Sequence, residues 1–299
     1  MTWSMYELVS EDFESLDSCP WDGMPADKAE RLYLDSMGCE IVRCSRCGVV
    51  YAKQRLNQKG LPKYWGDYLS RVHVHDPETV VKRNKMYDID YMFSHQYVSS
   101  GKVLDVGCGN GSFMDVYERH GYDVYGVEYG KEAADTAGKT HSVRYGIFDE
   151  MDFGDERFDL VIFRGVLQYV PNPKSYLRKA TSILNDNNSK NGRGYLFITA
   201  QPNVQSLGFR LFGKNFTQPV TGADFIGFHE YALTEYMSEL GMRKVGECYF
   251  YSKTPYADEE NDLLKMARAV QYRRAGKTID FKAPAYWGNM MTLMYSFNE

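Results

Sequence analysis

Four groups of residues in this chain have types and spacings that suit chemistry. The first is Val103-Leu104-Asp105-Val106-Gly107-Cys108-Gly109-Asn110-Gly111, a short apolar run that ends in an acid and then in alternating glycines. Glycine has no Cβ, so such a turn takes positive φ and lets a ligand lie against bare backbone. A following helix adds unpaired N–H groups and roughly half a unit of positive charge, a docking place for a nucleotide-like molecule with a carboxylate or phosphate. The second is Glu128, which closes a second apolar run, Tyr122–Val127. It stands about 20 residues past the glycines, the spacing at which an acid accepts hydrogen bonds from ribose hydroxyls.

The third group is a set of cysteines. Cys44-Ser45-Arg46-Cys47-Gly48 is a C-x-x-C-G knuckle at the tip of an expected hairpin, Glu40–Arg43 with Val49–Lys53. Cys19-Pro20-Trp21-Asp22-Gly23 repeats the pattern with Asp22 where the second cysteine belongs. Zinc accepts carboxylate oxygen as well as thiolate sulfur. The expected ligand set for a structural zinc is therefore Cys19, Asp22, Cys44 and Cys47, with Cys39 in reserve for the fourth place. The alternative is a hairpin that has lost its metal. The fourth group holds groups that could handle a proton. Gln168-Tyr169 follows the apolar segment Phe158–Phe163, and His229 lies in Phe228-His229-Glu230-Tyr231. Imidazole has the ordinary pKa best suited to a base near neutral pH. Tyrosine, with an ordinary value near 10, does not.

Positioning these groups takes an alternation of strands and helices. Strands are expected near 102–106, 122–127, 143–147, 158–163, 194–200, 243–252 and 289–297. Helices are expected near 78–97, 112–120, 131–138, 174–184, 203–212 and 234–240, the last with Thr234 as N-cap and Gly241 as the glycine past its end. That pattern is an α/β, Rossmann-like doubly wound sheet of seven mostly parallel strands. Ligands bind beyond the carboxyl ends of its strands, which places Asp105–Gly111, Glu128–Tyr129, Ile147–Phe148 and Phe163–Gln168 around one crevice.

The glycine-rich segment from Leu104 to Gly111, with Phe158-Asp159-Leu160-Val161 and Val166-Leu167, resembles the class I S-adenosylmethionine-dependent methyltransferases over roughly residues 100–250. Gln168-Tyr169 departs from that family's Glu-His, and Asn172 replaces its aspartate. The resemblance implies S-adenosylmethionine as cofactor, held by Asp105, Gly107, Cys108, Gly109, Gly111, Glu128, Tyr129, Ile147, Phe148 and Arg164. Glu128 would take the ribose, and Phe148, in Gly146-Ile147-Phe148-Asp149, would cover the adenine. Arg83 either reaches the cofactor's carboxylate or is solvated. The segment Ile41–Tyr51 resembles the N-terminal zinc module of a sugar-related subgroup. This implies O-methylation of a sugar or sugar nucleotide, or else C-methylation of a nucleotide sugar or O/N-methylation of a small secondary metabolite. A non-catalytic cofactor-binding interaction protein is the reading of a different class. His229 is the expected base, with Gln168 and Tyr169 beside the reacting groups.

Length and composition agree with one large domain plus a small unit: 299 residues, 43% apolar, net charge −5. The expected division is a zinc-type module at 1–55 with an acidic lead-in over 1–16, and a helical connector and cofactor cover at 56–100 bearing Tyr64, Trp65 and Tyr68. The methyltransferase domain follows at 101–299, with acceptor-binding insertions near 201–228 (Arg210, Phe212, Phe216, Phe225) and 255–285. Arg268, Arg273 and Arg274 of the second insertion either grip a diphosphate or form a solvated face. An acidic chain lacks the basic face that phosphate-backbone binding needs, so nucleic acid is not an expected partner. No apolar run reaches about 18 residues, so no membrane span is expected. The first residues have neither a basic region nor an apolar core, so the expectation is a cytoplasmic monomer or homodimer whose six cysteines are not paired as disulfides.

Overall fold

The computed structural model describes residues 7–66, 68, 77–186 and 192–298. Its centre is a seven-stranded sheet built from β6 (Lys102–Val106), β7 (Asp123–Glu128), β8 (Ser142–Tyr145), β9 (Leu160–Arg164), β10 (Tyr195–Pro202), β12 (Met242–Cys248) and β13 (Met290–Phe297). The spatial order is β8-β7-β6-β9-β10-β13-β12, with β13 antiparallel to both of its neighbours. Strands β6, β9 and β10 are covered on both faces, which is why they read as almost unbroken apolar runs. Phe158, Val161, Ile162, Phe163, Leu196, Phe197 and Ile198 are fully buried. The crossover helices are α3 (Met114–Glu118), α4 (Lys131–Ala137), α5 (Pro173–Ser182) and α7 (Glu230–Glu239). Asn172 caps α5 by accepting from the Ser175 amide at 3.2 Å, with Pro173 opening the helix.

At the N-terminal side, β1 (Phe13–Ser15) pairs with β5 (Gln54–Leu56). β2 (Glu30–Leu34), β3 (Glu40–Arg43) and β4 (Val50–Ala52) form an antiparallel sheet. The lead-in is fixed from Leu8 onward: that side chain is wholly buried, and Asp12 pairs with Lys63 at 2.8 Å. Residues 1–6 of the expected lead-in lie outside the described residues. The expected separate module at 1–55 does not stand apart. Its sheet gains a fourth strand from far along the chain, β11 (Ile226–Gly227), which pairs Ile226 with Tyr51 and Gly227 with Val50. Trp21 packs edge-on against Phe228 and Tyr236 at 5.0 and 5.3 Å. One apolar core thus runs from Trp21, Val42 and Tyr51 into Phe228, Leu233 and Tyr295.

The two expected insertions are packing elements more than loops. In the first, α6 (Leu207–Phe212) and Phe216 bury their rings against Ile41, Val50 and Ala52 of the N-terminal sheet. In the second, α8 (Glu259–Arg274) packs Met266 and Ala269 into the same cluster. Arg268 lies over Tyr272 and Phe281 and Arg273 donates to the Leu211 carbonyl, while Arg268, Arg273 and Arg274 all stay exposed, the solvated-face alternative. Helix α1 (Gly60–Trp65) and helix α2 (Pro77–Ser94) lead from the N-terminal sheet to β6.

A candidate cofactor and acceptor cavity

The carboxyl ends of β6, β7, β9 and β10 open into a cavity of about 1300 Å³. Binding pockets for one small molecule run to about 1,000 Å³ at the upper end, so this one has room for two.

One half is built on the glycine turn after β6. Gly107, Gly109 and Gly111 take φ of +74°, +59° and +87°. The Gly107 and Cys108 amides donate to the Val127 carbonyl at 2.7 and 3.1 Å, folding the turn back on β7. A Cβ on Gly107 would stand 2.6 Å from Val166, so the close approach requires glycine there. Helix α3 begins only at Met114 and is five residues long, shorter than the expected 112–120. The glycine backbone, not a helix end, therefore shapes this half. Glu128, 6% exposed, bridges the turn: its Oε2 accepts from the Gly109 amide at 2.9 Å and its Oε1 from the Gly130 amide at 2.7 Å. Burial raises its pKa, and the amides of Gly130, Gly109 and Tyr129 oppose the rise. Each oxygen keeps lone-pair capacity toward the cavity. Asp105 is buried with Oδ1 unpartnered, and burial pushes its carboxyl up to about 7 against the pull of Arg164.

Of the expected cofactor residues, Asp105, Gly107, Cys108, Gly109, Glu128, Tyr129, Ile147, Phe148 and Arg164 all line the cavity. Gly111 does not. A Cβ there would meet His141 at 2.8 Å and Ala137 at 3.3 Å, so this glycine serves the packing of the turn against α4. The Phe148 ring is 1% exposed and sits among Phe153, Phe163 and Tyr176 at 5.5–5.9 Å, a core position at the cavity wall. Arg164 is held by Asp90 at 2.9 Å and stacks over Tyr87 at 4.4 Å. Asp90 also accepts from the Thr199 hydroxyl at 2.8 Å. Arg164's charge is thus matched within the protein. Asp149, which the sequence reading passed over, also lines the cavity, with Ser175 donating to its carboxylate.

Aromatic residues cover the cavity from the glycine turn outward: a Cβ on Gly109 would lie 3.3 Å from the Tyr68 hydroxyl, and one on Gly130 2.8 Å from the Tyr68 ring. Trp65 packs edge-on against Tyr64, Tyr68 and Tyr169 at 5.0, 5.4 and 4.9 Å. Tyr251, Tyr256 and Tyr286 line the far wall, with Thr217, Gln218 and Asp224 from the segment before β11. At the rim of β10, Ala200 takes φ +51°, beside a register shift against β13. A non-glycine residue in that region is strained. Gln168 and Tyr169 occupy a 3-10 turn, Leu167–Tyr169, on the cavity wall. The Gln168 amide is 4% exposed and its Oε1 is unpartnered.

His229 is placed elsewhere than the sequence reading expects. It is 6% exposed and absent from the cavity wall. Its Nδ1 accepts from the Ala232 amide at 3.3 Å, which makes His229, and not Thr234, the N-cap of α7. Its Nε2 donates to the Cys47 carbonyl at 2.8 Å. With both nitrogens engaged, it ties α7 to the cysteine hairpin and has no free lone pair for a substrate proton. Thr234 instead reaches the Tyr295 hydroxyl at 3.0 Å.

The donor atoms of Cys19, Asp22, Cys44 and Cys47 all lie within 4.8 Å of one another. Cys19 and Cys47 sulfurs are 3.7 Å apart, and the Cys44 sulfur is 3.5 Å from either Asp22 oxygen. Tetrahedral bonds of about 2.3 Å to sulfur and 2.0 Å to oxygen put two sulfurs about 3.8 Å apart and a sulfur–oxygen pair about 3.5 Å apart. These pairs match the spacing of zinc ligands, so the four residues could hold the metal. Arg46 donates to Asp22 Oδ2 at 2.8 Å and orients it. Cys39 is not in the cluster; its thiol faces Gly222.

Comparison with known proteins agrees with this geometry. Residues 82–206 match the family described as Methyltransferase domain. The chain is 29% identical over 168 residues to a Ubiquinone biosynthesis O-methyltransferase of Chromobacterium violaceum, covering 51% of this chain and 66% of that protein. It is 31% identical over 120 residues to the protein of the same name from Aliivibrio fischeri, covering 38% of this chain and 49% of that protein. The chain thus spans about half to two thirds of the length of these curated relatives. Among solved structures, a SAM-dependent methyltransferase from Thermotoga maritima superposes with a TM-score of 0.55 at 18% identity, covering 78% of this chain and 100% of that one. Magnesium protoporphyrin IX methyltransferase from Synechocystis PCC 6803 with bound SAH superposes with a TM-score of 0.53 at 13% identity, covering 81% and 100%. Over residues 82–206 the chain is thus similar to a methyltransferase domain, and its fold is a Rossmann-like seven-stranded sheet shared with solved methyltransferases. The relatives named here are ubiquinone-biosynthesis O-methyltransferases and lend no support to the sugar-related subgroup. Among the described residues, no helix is long and apolar enough to cross a membrane.

Glu128→Ala removes two charge-assisted acceptors worth about 1.5–3 kcal/mol each before relaxation. Titration calorimetry with S-adenosylhomocysteine, on variant protein with native circular dichroism, should show at least about a tenfold loss of affinity. Unchanged affinity would remove Glu128 from the cofactor site.

Proposed function

We propose that this chain is an S-adenosylmethionine-dependent O-methyltransferase acting on an uncharged, ring-bearing small molecule. The observation behind this reading is the single cavity, with the Glu128-bridged glycine turn at one end and an aromatic wall at the other. S-adenosylmethionine brings a methyl group on a positively charged sulfur, ready for transfer to a nucleophile. Gly107 and Gly109 would admit its amino-acid portion against backbone, Glu128 would hold the ribose hydroxyls, and Ile147 and Phe148 would flank the adenine. Asp149 supplies the acid toward the adenine amino group that Ile147 lacks. Trp65, Tyr64 and Tyr169 would sandwich the acceptor ring and keep water out, so that its oxygen is held in line at about 3–3.5 Å.

Charge supports an uncharged acceptor. Among the described residues, the lining side chains include six acids, Asp90, Asp105, Glu128, Asp149, Glu150 and Asp224, against two cations, Arg83 and Arg164. A nucleotide diphosphate would enter an anionic cavity whose Arg164 is matched by Asp90. Arg268, Arg273 and Arg274, the other cations considered for that role, do not line it. The relatives' names support oxygen as the atom methylated. The cysteine hairpin favours the sugar reading, and the acceptor panel below separates the two.

The decisive assay follows S-adenosylhomocysteine release from S-adenosylmethionine with 3,4-dihydroxybenzaldehyde, 4-nitrophenol and dTDP-glucose as acceptors. Methylation of a phenolic hydroxyl with no turnover of the sugar nucleotide is expected. The opposite preference would return the sugar reading. No turnover with any acceptor, in protein that binds the cofactor, would favour a non-catalytic binding role.

We also propose that Cys19, Asp22, Cys44 and Cys47 hold one structural zinc. Metal analysis of protein purified without chelator should give about one zinc per chain. Cys44→Ser should abolish it and lower the melting temperature of the whole chain in one transition, because hairpin and sheet share a core. A stoichiometry near zero in native protein would mean the hairpin folds without metal.

A further inference from the structure

The chemistry of methylating a hydroxyl leaves one requirement unmet by His229: a group that takes the proton. Asp224 meets it by position. It closes a tight turn, Thr221–Asp224, in which the Thr221 amide donates to the Asp224 carbonyl at 2.9 Å. The Asp224 amide donates to Thr221 Oγ1 at 2.9 Å, and that hydroxyl donates back to Asp224 Oδ2 at 2.9 Å. The turn is clamped from the N-terminal side, where the Gly222 amide donates to Asp35 Oδ2 and the Gly222 carbonyl accepts from the Leu56 amide, both at 2.8 Å. The carboxylate is therefore held rigidly at the acceptor half of the cavity. Tyr169 lines the same cavity, its hydroxyl electrostatically coupled to the Asp224 carboxylate, and its ring packs on Trp65.

We propose that Asp224 is the proton acceptor for methyl transfer, with the Tyr169 hydroxyl relaying the proton from the acceptor. This rests on the O-methyltransferase reading above. The acceptor oxygen forms a bond to the methyl carbon as that carbon's bond to sulfur breaks, its electron pair going to sulfur. The acceptor's proton passes to the Tyr169 oxygen as the Tyr169 proton passes to the Asp224 carboxylate. The positive charge that began on sulfur ends as the proton of a neutral Asp224 carboxyl, so no separated charge is left in the cavity.

The surroundings suit a base. The groups facing Asp224 are Tyr169, Thr221, Asp35 on the β2–β3 turn and Tyr33 on β2, with Tyr64 beyond Tyr169. Arg55 of β5, which lies over the neighbouring Phe225 ring, is engaged by Glu14 at 2.7 Å and by the Pro171 carbonyl at 2.8 Å. Burial, with Asp35 adding, pushes the Asp224 carboxyl up to about 6 against the hydrogen bonds from Thr221 and Tyr169. At neutral pH it is ionised and more basic than an ordinary carboxylate. As pH falls through about 6 it takes a proton and can no longer accept one.

The test compares wild type with Asp224→Asn, using 3,4-dihydroxybenzaldehyde and thiophenol as acceptors. On the phenol, Asp224→Asn should lose about a hundredfold in kcat with KM little changed. The acid limb that wild type shows near pH 6 should disappear. Tyr169→Phe should lose less, since the acceptor can then meet Asp224 through water. Thiophenol is largely ionised at neutral pH and needs no base, so Asp224→Asn should methylate it as fast as wild type. Affinity for S-adenosylhomocysteine by calorimetry should be unchanged in both variants. A variant kcat on the phenol within threefold of wild type, an intact acid limb, or an equal loss on thiophenol would overturn the assignment. If wild type itself methylates no hydroxyl, the underlying reading fails first.

Discussion

The site depends on one buried carboxylate. Glu128 ends β7 and reaches across to accept from Gly109 on the first turn and from Gly130 on its own. A buried carboxylate without such donors would be costly and would neutralise itself. With them it stays where two hydroxyls can meet it. The same two bonds fix the spacing between the glycine turn and the β7 turn, so the cradle and its charge are made together. The glycines at 107 and 109 answer to this arrangement: a side chain at 107 would collide with Val166, and one at 109 would crowd Tyr68.

A second constraint sets the acceptor half. The pairing of β11 with β4 carries the N-terminal sheet across to the chain that follows β10. Without it, the Thr221–Asp224 turn would be a free loop. With it, Asp224 is clamped between Asp35 and the cavity, and His229, two residues past β11, locks α7 to the cysteine hairpin. The cysteine hairpin meets the cavity through this sheet, whose β4 pairs with β11.

What could be read from the sequence was local. The glycine turn, Glu128, the buried strands and the C-x-x-C knuckle each declare themselves within a few residues; Gly107, Gly109 and Glu128 line one cavity, and the cysteines of the knuckle cluster with Cys19 and Asp22. His229 misled because an Xaa-His-Glu-Tyr segment looks alike whether it faces a substrate or caps a helix. The difference is the Cys47 carbonyl, 182 residues away in the chain. Asp224 was illegible for the same reason. Nothing near Gly222-Ala223-Asp224-Phe225 announces burial, which comes from long-range pairing with the N-terminal sheet. The apolar residues of the segment 1–55 do not by themselves reveal that Phe228 and Tyr236 complete their core. The arginines of α8 read as anion ligands or as a solvated face, and the structure has all three exposed and outside the cavity wall, with Arg268 over Tyr272 and Phe281.

The most direct test of the account is a crystal structure of the chain with S-adenosylhomocysteine bound. It should show both ribose hydroxyls at hydrogen-bonding distance, about 2.6–3.2 Å, from the Glu128 carboxylate. The amino-acid portion should lie over Gly107 and Gly109, and the sulfur should face the compartment walled by Trp65, Tyr169 and Asp224. A ligand bound with its ribose away from Glu128, or with its sulfur turned from that compartment, would contradict it.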